Sequence, residues 1–204
     1  YNPDKAKELL GMGGWKDRNN DGIVEKIAGA SGEQLTIELI TNEDNFLRSL
    51  AIDEIGDNLK AVGIRVRIKK LPWEDFQRAI AEKKYDMAVL GFNIGMNNDL
   101  TFMLDSSEVE KGNNFAGYVN KRVDDLLRSA SREGSVEERK MMYSKLQGII
   151  SDELPYISLY FRTMPFIYNT RIKGDVFPAG YHVYSGVTKW YINRSSKEEK
   201  SLTK

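Results

Sequence analysis

Oxygen-bearing side chains stand close together near the start of the chain, in the run DRNNDG. Asp17, Asn19, Asp21 and Gly22 take the spacing of positions one, three, five and six of a calcium-binding loop. A complete loop of that kind has a bidentate glutamate at position twelve, where this chain has Ala28. The run therefore predicts a tight turn closed by Asx hydrogen bonds, with no metal. An incomplete cation site built on the three polar residues is the alternative.

Catalytic groups are sparse in this sequence. There is no cysteine, which excludes a thiolate nucleophile, and the single histidine, His182, lies in a Gly- and Tyr-rich segment without a nucleophile motif. The glycines of residues 11–14 follow a helical pattern, whereas a phosphate-binding loop follows a strand and opens a helix. The spacing of the 30 carboxylates isolates no acid–base pair. We therefore predict a protein that is not an enzyme and that needs no cofactor.

Composition indicates a folded protein and narrows its partners. The chain has 204 residues, of which 41% are hydrophobic, enough for one domain or a little more. Lys and Arg together number 30, as do Asp and Glu, so the basic excess typical of a nucleic-acid-binding protein is lacking. No window has the run of about 18 apolar residues of a membrane span, and the first residues have no signal-peptide pattern. Because a helix begins on the first residues, we expect a chain cut from a longer one.

Residues 35–92 show the alternation of strand and helix that a parallel sheet requires. Alternating apolar residues predict strands over 35–40 and 64–68, and a mostly apolar run predicts a third over 86–92. Between the strands, apolar spacings of three and four predict helices over 45–62 and 73–83. The apolar face of the first helix is predicted to hold Leu47, Leu50, Ala51, Ile55, Leu59 and Val62. This order implies an α/β fold with two right-handed crossovers.

The second half of the chain predicts two capped helices and a less regular end. Asn120 caps a helix over 120–130, and Ser135 with Glu138 forms a capping box for another helix, which Pro155 ends. Residues 156–168 are aromatic and β-prone, and residues 175–193 are again rich in aromatic side chains. The segment after Asn193 has no apolar periodicity, which predicts a flexible tail.

Two polar loops follow the first and third predicted strands. One comprises residues 41–44 and begins with Thr41 and Asn42, and the other comprises residues 93–99. Ligands of open α/β sheets bind beyond the carboxyl ends of the strands, which is where both loops lie. Neither loop holds a nucleophile beside a base or a cluster of metal ligands. They form a ligand-binding edge or ordinary solvated turns, and side-chain chemistry alone leaves both interpretations open.

Three motifs, in their order along the chain, resemble one protein family. The opening YNPDKAKELLGMGGWKDRNNDGIVEK combines a Tyr-x-Pro-x-x-Ala-x-x-Leu-Leu helix, a Gly-Trp and an Asp-Gly turn. GNNFAGYVNKRVDDLL (112–127) is similar to the pattern Asn-x-x-Gly-Tyr-x-Asn-x-x-Val-Asp-x-Leu-Leu. ERKMMYSKLQGIISDELPYISLYF (138–161) is similar to Arg-x-x-x-Tyr-x-x-x-Gln followed by Pro-x-Ile-x-Leu-Tyr. Together they resemble family 5 of the extracellular solute-binding proteins, the oligopeptide/dipeptide receptors of ABC importers, over residues 1–193.

The resemblance implies one lobe of a type II periplasmic-binding-protein-like fold, a mixed sheet with a parallel βαβ core flanked by helices. Residues 1–174 would be the C-terminal ligand-binding lobe, residues 175–194 a return segment that packs on an absent N-terminal lobe, and residues 195–204 the flexible tail. The complete receptor would capture oligopeptides between its lobes and deliver them to ABC permease subunits in the membrane. It would be extracytoplasmic, in the periplasm or on the outer face of the cell membrane, as a lipoprotein anchored through the absent N-terminus.

The resemblance also implies which residues face the ligand. Peptide-binding members hold the ligand as an added extended strand. The segment GFNIG resembles their ligand-facing edge, so backbone groups of Gly91 and Asn93 and the ring of Phe92 are predicted contacts. Several members pair an aspartate with the ammonium group of the ligand, at the position where this chain has Gly95. Asp99 takes over that role or caps the following turn.

Two other functions stay open at this point. The same scaffold serves several ligand types, so a receptor for an oligosaccharide or another small solute is the nearest alternative. Phe92 and the amide-rich loop would also suit stacking on a sugar. A self-contained α/β interaction module or a hydrolase is the alternative from another class. Nucleic acid is not an expected partner.

Overall fold

A computed structural model describes residues 1–28, 31–94, 98–132, 134–162, 165–176 and 183–192. They belong to two compact units, Tyr1–Asn93 and Ile94–Lys204. The predicted tail, His182 and Gly95 lie outside the described residues. Of the helices in the described ranges, none has both the length and the apolar character that crossing a membrane requires.

The first unit is built on a parallel sheet. Its elements are α1 (Pro3–Met12), β1 (Glu25–Ala28), β2 (Ser31–Gln34), β3 (Thr36–Asn42), α2 (Phe46–Lys60), β4 (Arg65–Leu71), α3 (Trp73–Ala81) and β5 (Met87–Ala88). β1 and β2 form an antiparallel pair, and the other three strands form a parallel sheet in the order β4-β3-β5. The predicted α/β fold with a parallel core is confirmed.

Strand β3 lies at the centre of the parallel sheet. It pairs with β4 along its whole length, from Thr36 opposite Arg65 to Asn42 opposite Leu71. Its middle residues, Leu39 and Ile40, are buried, as expected for a strand with elements on both faces. The main core cluster joins Leu39 to Ile52 of α2 and to Val89, which follows β5.

Helix α2 buries the predicted face only in part: Ala51 and Ile55 pack against the core cluster as predicted, but the centre of the buried face is shifted. Ile52 and Gly56 are buried, whereas Leu47 and Leu50 are about half exposed. The residues at 52, 55, 56 and 59 also follow a spacing of three and four, and this stripe is the one turned toward the sheet. Gly56 lets the helix approach closely, because a Cβ there would lie 2.6 Å from Cδ1 of Ile68.

Gly63 follows α2 closely, and its position requires glycine. Its φ of +91° is in the left-handed region, and a Cβ there would lie 2.8 Å from Cγ1 of Val24. The carbonyl oxygen of Gly63 accepts a 2.7 Å hydrogen bond from the backbone N–H of Val24. This bond joins the start of β4 to the segment that leads into β1.

The third parallel strand is shorter than the sequence predicts. Asp86 donates its backbone N–H to Glu38, and Val89 donates its own to Ile40, so the ladder extends only from residue 86 to residue 89. The predicted strand over 86–92 is therefore wrong at its carboxyl end. Strand length depends on hydrogen bonds to a partner as well as on apolar character, and the carbonyl oxygen of Val89 accepts the side-chain hydroxyl of Thr41 instead of a ladder bond.

The second unit is mainly helical in its described residues. It contains α4 (Thr101–Leu104), α5 (Glu108–Lys111), α6 (Lys121–Arg132), α7 (Val136–Glu153), β6 (Ile172–Lys173), a 3₁₀ helix (Val187–Lys189) and β7 (Tyr191–Ile192). β6 and β7 form an antiparallel pair. The core of this unit joins Leu104, Val123, Leu127 and Leu146.

The predicted helix boundaries of the second unit are confirmed. The side chain of Asn120 accepts hydrogen bonds from the first backbone N–H groups of α6, and Oγ of Ser135 accepts one from Glu138 at the start of α7. α7 ends at Glu153, two residues before Pro155. The β-prone stretch over 156–168 forms no strand in its described residues, because no described segment pairs with it.

Two mid-helix glycines give a matched test of how α2 packs. Gly56→Ala is expected to lower the free energy of unfolding by about 1–2 kcal/mol, since the new methyl group collides with Ile68. Gly148→Ala in α7 is expected to raise it by about 0.5–1 kcal/mol, because nothing lies within 4 Å and alanine favours the helix. Urea denaturation followed by circular dichroism measures both changes. Stabilisation by both substitutions would contradict the close packing of α2 on β4.

Candidate functional site

The carboxyl end of β3 presents two buried polar residues, Thr41 and Asn42. The hydroxyl group of Thr41 donates a 2.9 Å hydrogen bond to the carbonyl oxygen of Val89, which extends the connection between β3 and β5 beyond the ladder. Thr41 is therefore a structural residue of the sheet edge. It holds the start of the segment that leads to Gly91.

The side chain of Asn42 is fixed by two charged neighbours. Its Oδ1 accepts a 2.7 Å hydrogen bond from Nη1 of Arg48, and its Nδ2 donates to Oδ1 of Asp44. Both functions of the amide are thus paired, which is what a buried polar group requires. Asn42 acts by orienting the guanidinium group of Arg48.

Arg48 is a residue of this edge that the sequence analysis missed. It lies in the first turn of α2, which Asn45 caps by accepting its backbone N–H. The positive end of the helix dipole disfavours a cation there, so the arginine is held against its local preference. The sequence does contain a signal for Arg48, because it is a positive residue in a first helical turn that has no acidic residue. Its Nη2 would be 3.1 Å from a Cβ at Gly91, so the guanidinium lies beside the segment after β5.

The predicted contact segment, residues 91–93, leaves the sheet directly after β5. Gly91 and Asn93 are exposed and Phe92 is half-buried. Among the described residues β5 pairs only with β3, so it is the edge strand of the parallel sheet. Gly91 does not have a positive φ, so glycine serves here to leave space beside Arg48 rather than to allow a special backbone conformation.

Apolar side chains are exposed at the start of α2, next to Arg48. Phe46, Leu47 and Leu50 expose about half or more of their surface. Because α2 follows β3, these side chains begin at the carboxyl end of the sheet. The first unit therefore has an amide, a guanidinium, an open glycine and apolar surface at one edge.

Asp99 belongs to the second unit and forms a local cap. Its Oδ1 accepts a 2.9 Å hydrogen bond from the backbone N–H of Thr101, the first residue of α4. The neighbouring carbonyl oxygen of Asn98 accepts a 2.8 Å hydrogen bond from the hydroxyl group of Tyr143. The capping interpretation of Asp99 is confirmed by this bond, and its role toward a ligand stays a prediction.

The DRNNDG run folds as a series of Asx turns, as predicted. Oδ2 of Asp17 accepts the N–H of Gly22, Oδ1 of Asn19 accepts that of Asp21, and Oδ1 of Asp21 accepts that of Ile23, each at 2.9 Å. The hydrogen bond from Ile23 holds the pKa of the Asp21 carboxyl below its usual range. One carboxylate oxygen each of Asp17, Asp21 and Glu25 lie within 4.8 Å of one another.

Comparison with known proteins gives the family. The family model for bacterial extracellular solute-binding proteins, family 5 Middle, matches residues 1–114. The chain belongs to this family. The resemblance that the three motifs indicated is confirmed.

Individual relatives of this family 5 chain match over most of its length. The oligopeptide-binding protein AppA of Bacillus subtilis is 26% identical over 194 residues, 94% of this chain and 35% of AppA. The structure of AppA in complex with a nonapeptide gives a TM-score of 0.74 at 25% identity, over 95% of this chain and 38% of that one. The chain thus spans about a third of the length of the curated relatives that it matches.

A sugar-bound relative shares the fold. The mannohexaose-bound oligopeptide-binding protein of Thermotoga maritima gives a TM-score of 0.73 at 22% identity, over 96% of this chain and 40% of that one. Both structures are of oligopeptide-binding proteins, the second one from an ABC transporter, and the predicted fold class is confirmed.

The family motif at 112–127 serves the structure of the second unit. The buried side chain of Asn114 donates to the carbonyl oxygens of Asp105 and Tyr118 and accepts the N–H of Tyr118. The hydroxyl group of Tyr118 and the amide of Asn120 donate to the carboxylate of Glu153 at the end of α7. These bonds connect the start of α6 to the end of α7, which gives a physical reason for the motif.

The Tyr118–Glu153 bond predicts a loss of stability at high pH. Burial, followed by the bond to Glu153, raises the pKa of Tyr118 to about 12, above its value of about 10 in the unfolded chain. The unfolded state then loses its proton first, so this stabilisation is complete below pH ~10 and is lost as the pH rises toward about 12. Tyr118→Phe is expected to flatten the decline in urea midpoint over this range. Tyr184→Phe, at an exposed tyrosine, is the control, and equal slopes for all three proteins would contradict the assignment.

Proposed function

We propose that this chain is one lobe of the substrate-binding receptor of an ABC importer, and that the complete receptor captures oligopeptides. The observation that carries the proposal is the exposed segment at Gly91, which continues the edge strand β5 beside the guanidinium group of Arg48. An edge strand followed by open backbone can accept an extended peptide as a further strand. Membership in family 5 supports the same function.

Recognition in this proposal combines backbone bonds with one charged contact. Backbone groups of Gly91 and Asn93 bind the peptide main chain, and the Phe92 ring packs on a side chain. In the described part of the chain, the guanidinium of Arg48 donates one of its five N–H groups, to Asn42. The other donors can bind a carboxylate of the ligand. Recognition of a free ammonium group is secondary in this proposal. Gly95 stands in place of the aspartate that would pair with it, and Asp99 is hydrogen-bonded to Thr101.

The proposed receptor works as a two-lobe clamp. Residues 1–174 form the C-terminal ligand-binding lobe, residues 175–194 return to the N-terminal lobe, and residues 195–204 form a tail. The exposure of apolar side chains in the return segment supports this, since Tyr184 is 70%, Tyr191 62% and Ile192 65% exposed. The exposed apolar residues at the start of α2 would likewise be covered when the lobes close on a ligand.

Location and partners follow from the proposed receptor function. The ligand is taken up outside the cytoplasm, the closed receptor is presented to membrane permease subunits, and a lipid anchor lies upstream of these residues. The chain itself binds and releases the ligand without chemical change, so the proposal includes no enzymatic activity. A self-contained interaction module or hydrolase gains no support from the functional edge, which has no nucleophile beside a base in its described residues.

An oligosaccharide receptor is the second candidate. The mannohexaose complex of the Thermotoga maritima relative shares this fold, and Phe92 provides a half-buried ring that could stack on a sugar. The guanidinium of Arg48 favours the peptide, because a neutral oligosaccharide has no carboxylate to pair with it. Native mass spectrometry of the complete receptor distinguishes the two candidates, and a co-purified glycan without any peptide would contradict the peptide proposal.

The role of Arg48 is tested with one peptide in two forms. In the complete receptor, Arg48→Gln is expected to weaken binding of a free-acid peptide without acidic side chains by about 10–100-fold, the loss of one charge-assisted hydrogen bond. The C-terminal amide of the same peptide is expected to bind the wild-type and variant receptors equally. Arg78→Gln is the control, since Arg78 is exposed on α3 and pairs with Asp75. Isothermal titration calorimetry measures each affinity, and equal weakening for both peptide forms would contradict the carboxylate contact.

A further inference from the structure

The turn between α1 and β1 brings more ligand atoms together than its sequence spacing indicates. Asp17, Asn19 and Asp21 take positions one, three and five of a calcium loop, but position twelve is Ala28. The fold supplies another carboxylate, that of Glu25, at position nine. One oxygen each of Asp17, Asp21 and Glu25 lie within 4.8 Å of one another, which is close enough for all three to bind one ion.

Glu25 gives independent support, because its side chain is buried and incompletely paired. The residue is only 7% exposed, and Gly32 on the paired strand β2 leaves room for it, since a Cβ there would be 3.2 Å from its Cγ. Its Oε1 accepts a 3.1 Å hydrogen bond from the backbone N–H of Arg18. Its Oε2 is buried and accepts no hydrogen bond from the described residues. A buried carboxylate oxygen is costly unless a proton donor or a cation compensates it.

The chemistry of the donors selects the kind of ion. All of them are oxygens, three of them from carboxylates, which suit hard cations rather than zinc or copper. A loop of the calcium type also offers a backbone carbonyl at position seven, here Ile23, and calcium tolerates the irregular geometry that such a loop gives. Magnesium demands a near-ideal octahedron and is the less suitable ion.

We propose that Asp17, Asn19, Asp21 and Glu25 form a calcium site that is independent of the ligand-binding edge. Glu25 replaces the missing ligand at position twelve. The ion would tie the turn to the β1–β2 hairpin, because Glu25 begins β1 and Gln34 of β2 donates a 2.9 Å hydrogen bond to Asp21. The site is therefore structural, and it stabilises the first unit without contacting the transported solute.

Calcium titration of the chain tests this site directly. At about 5 mM calcium, above the ~10⁻⁴–10⁻³ M dissociation constants of extracellular calcium modules, the melting temperature is expected to rise by about 2–4 °C. The same concentration of magnesium is expected to produce a smaller rise. Terbium, a calcium substitute, is expected to luminesce on excitation of Trp15, which lies two residues before Asp17. No calcium-dependent rise and no saturable terbium signal would overturn the proposal.

Two variants separate a metal ligand from a merely structural residue. Glu25→Gln is expected to abolish the calcium-dependent rise while leaving the metal-free melting temperature unchanged or higher, because a buried charge is removed. Asp17→Asn keeps an oxygen for the N–H of Gly22 and is also expected to abolish the rise. Glu33→Gln, on the same hairpin but exposed, is the control and keeps the full response. A full calcium response in either ligand variant would overturn the assignment.

Discussion

The first unit depends on the pairing of β3 by parallel strands along both of its edges. The strand pairs with β4 along its whole length and with β5 at its centre, and this centre is apolar and buried. Parallel neighbours also require that the chain crosses over between strands, and α2 therefore begins at the edge where β3 ends. This topology is what brings Arg48 of α2 beside Asn42 of β3 and Gly91 after β5.

Much of the fold could be predicted because its signals are local. The caps Asn120 and Ser135 act within a few residues of their own position, and the structure has both where the sequence indicated them. The carboxyl end of β5 could not be predicted this way, because it depends on a contact through space, in which the Thr41 hydroxyl takes the carbonyl oxygen of Val89. The buried face of α2 was predicted only in part: Ala51 and Ile55 pack on the core, but Leu47 and Leu50 are exposed. Ile52 was left out of the prediction, because its burial depends on where the sheet lies.

The candidate site shows the same division between local and distant signals. Thr41 and Asn42 were predicted from sheet topology and Gly91 from the family resemblance, but the sequence did not indicate that the first two form hydrogen bonds within the protein. Arg48 and Glu25 were missed because the contacts that single them out are formed through space. The family motif around Tyr118 holds the start of α6 against the end of α7. The residues that reveal the family are therefore structural, and they differ from the residues that we propose contact the ligand.

The central claim is that the carboxyl edge of the parallel sheet is the ligand-binding face. Hydrogen exchange measured by mass spectrometry on the complete receptor, with and without a nonapeptide, tests it most directly. We expect the peptide to slow amide exchange at residues 41–48 and 91–93, while exchange at the opposite edge, at the amino ends of β3 and β4 (residues 36–38 and 65–67), is unchanged. Protection confined to that opposite edge, or absent from residues 91–93 when the peptide is bound, would contradict it.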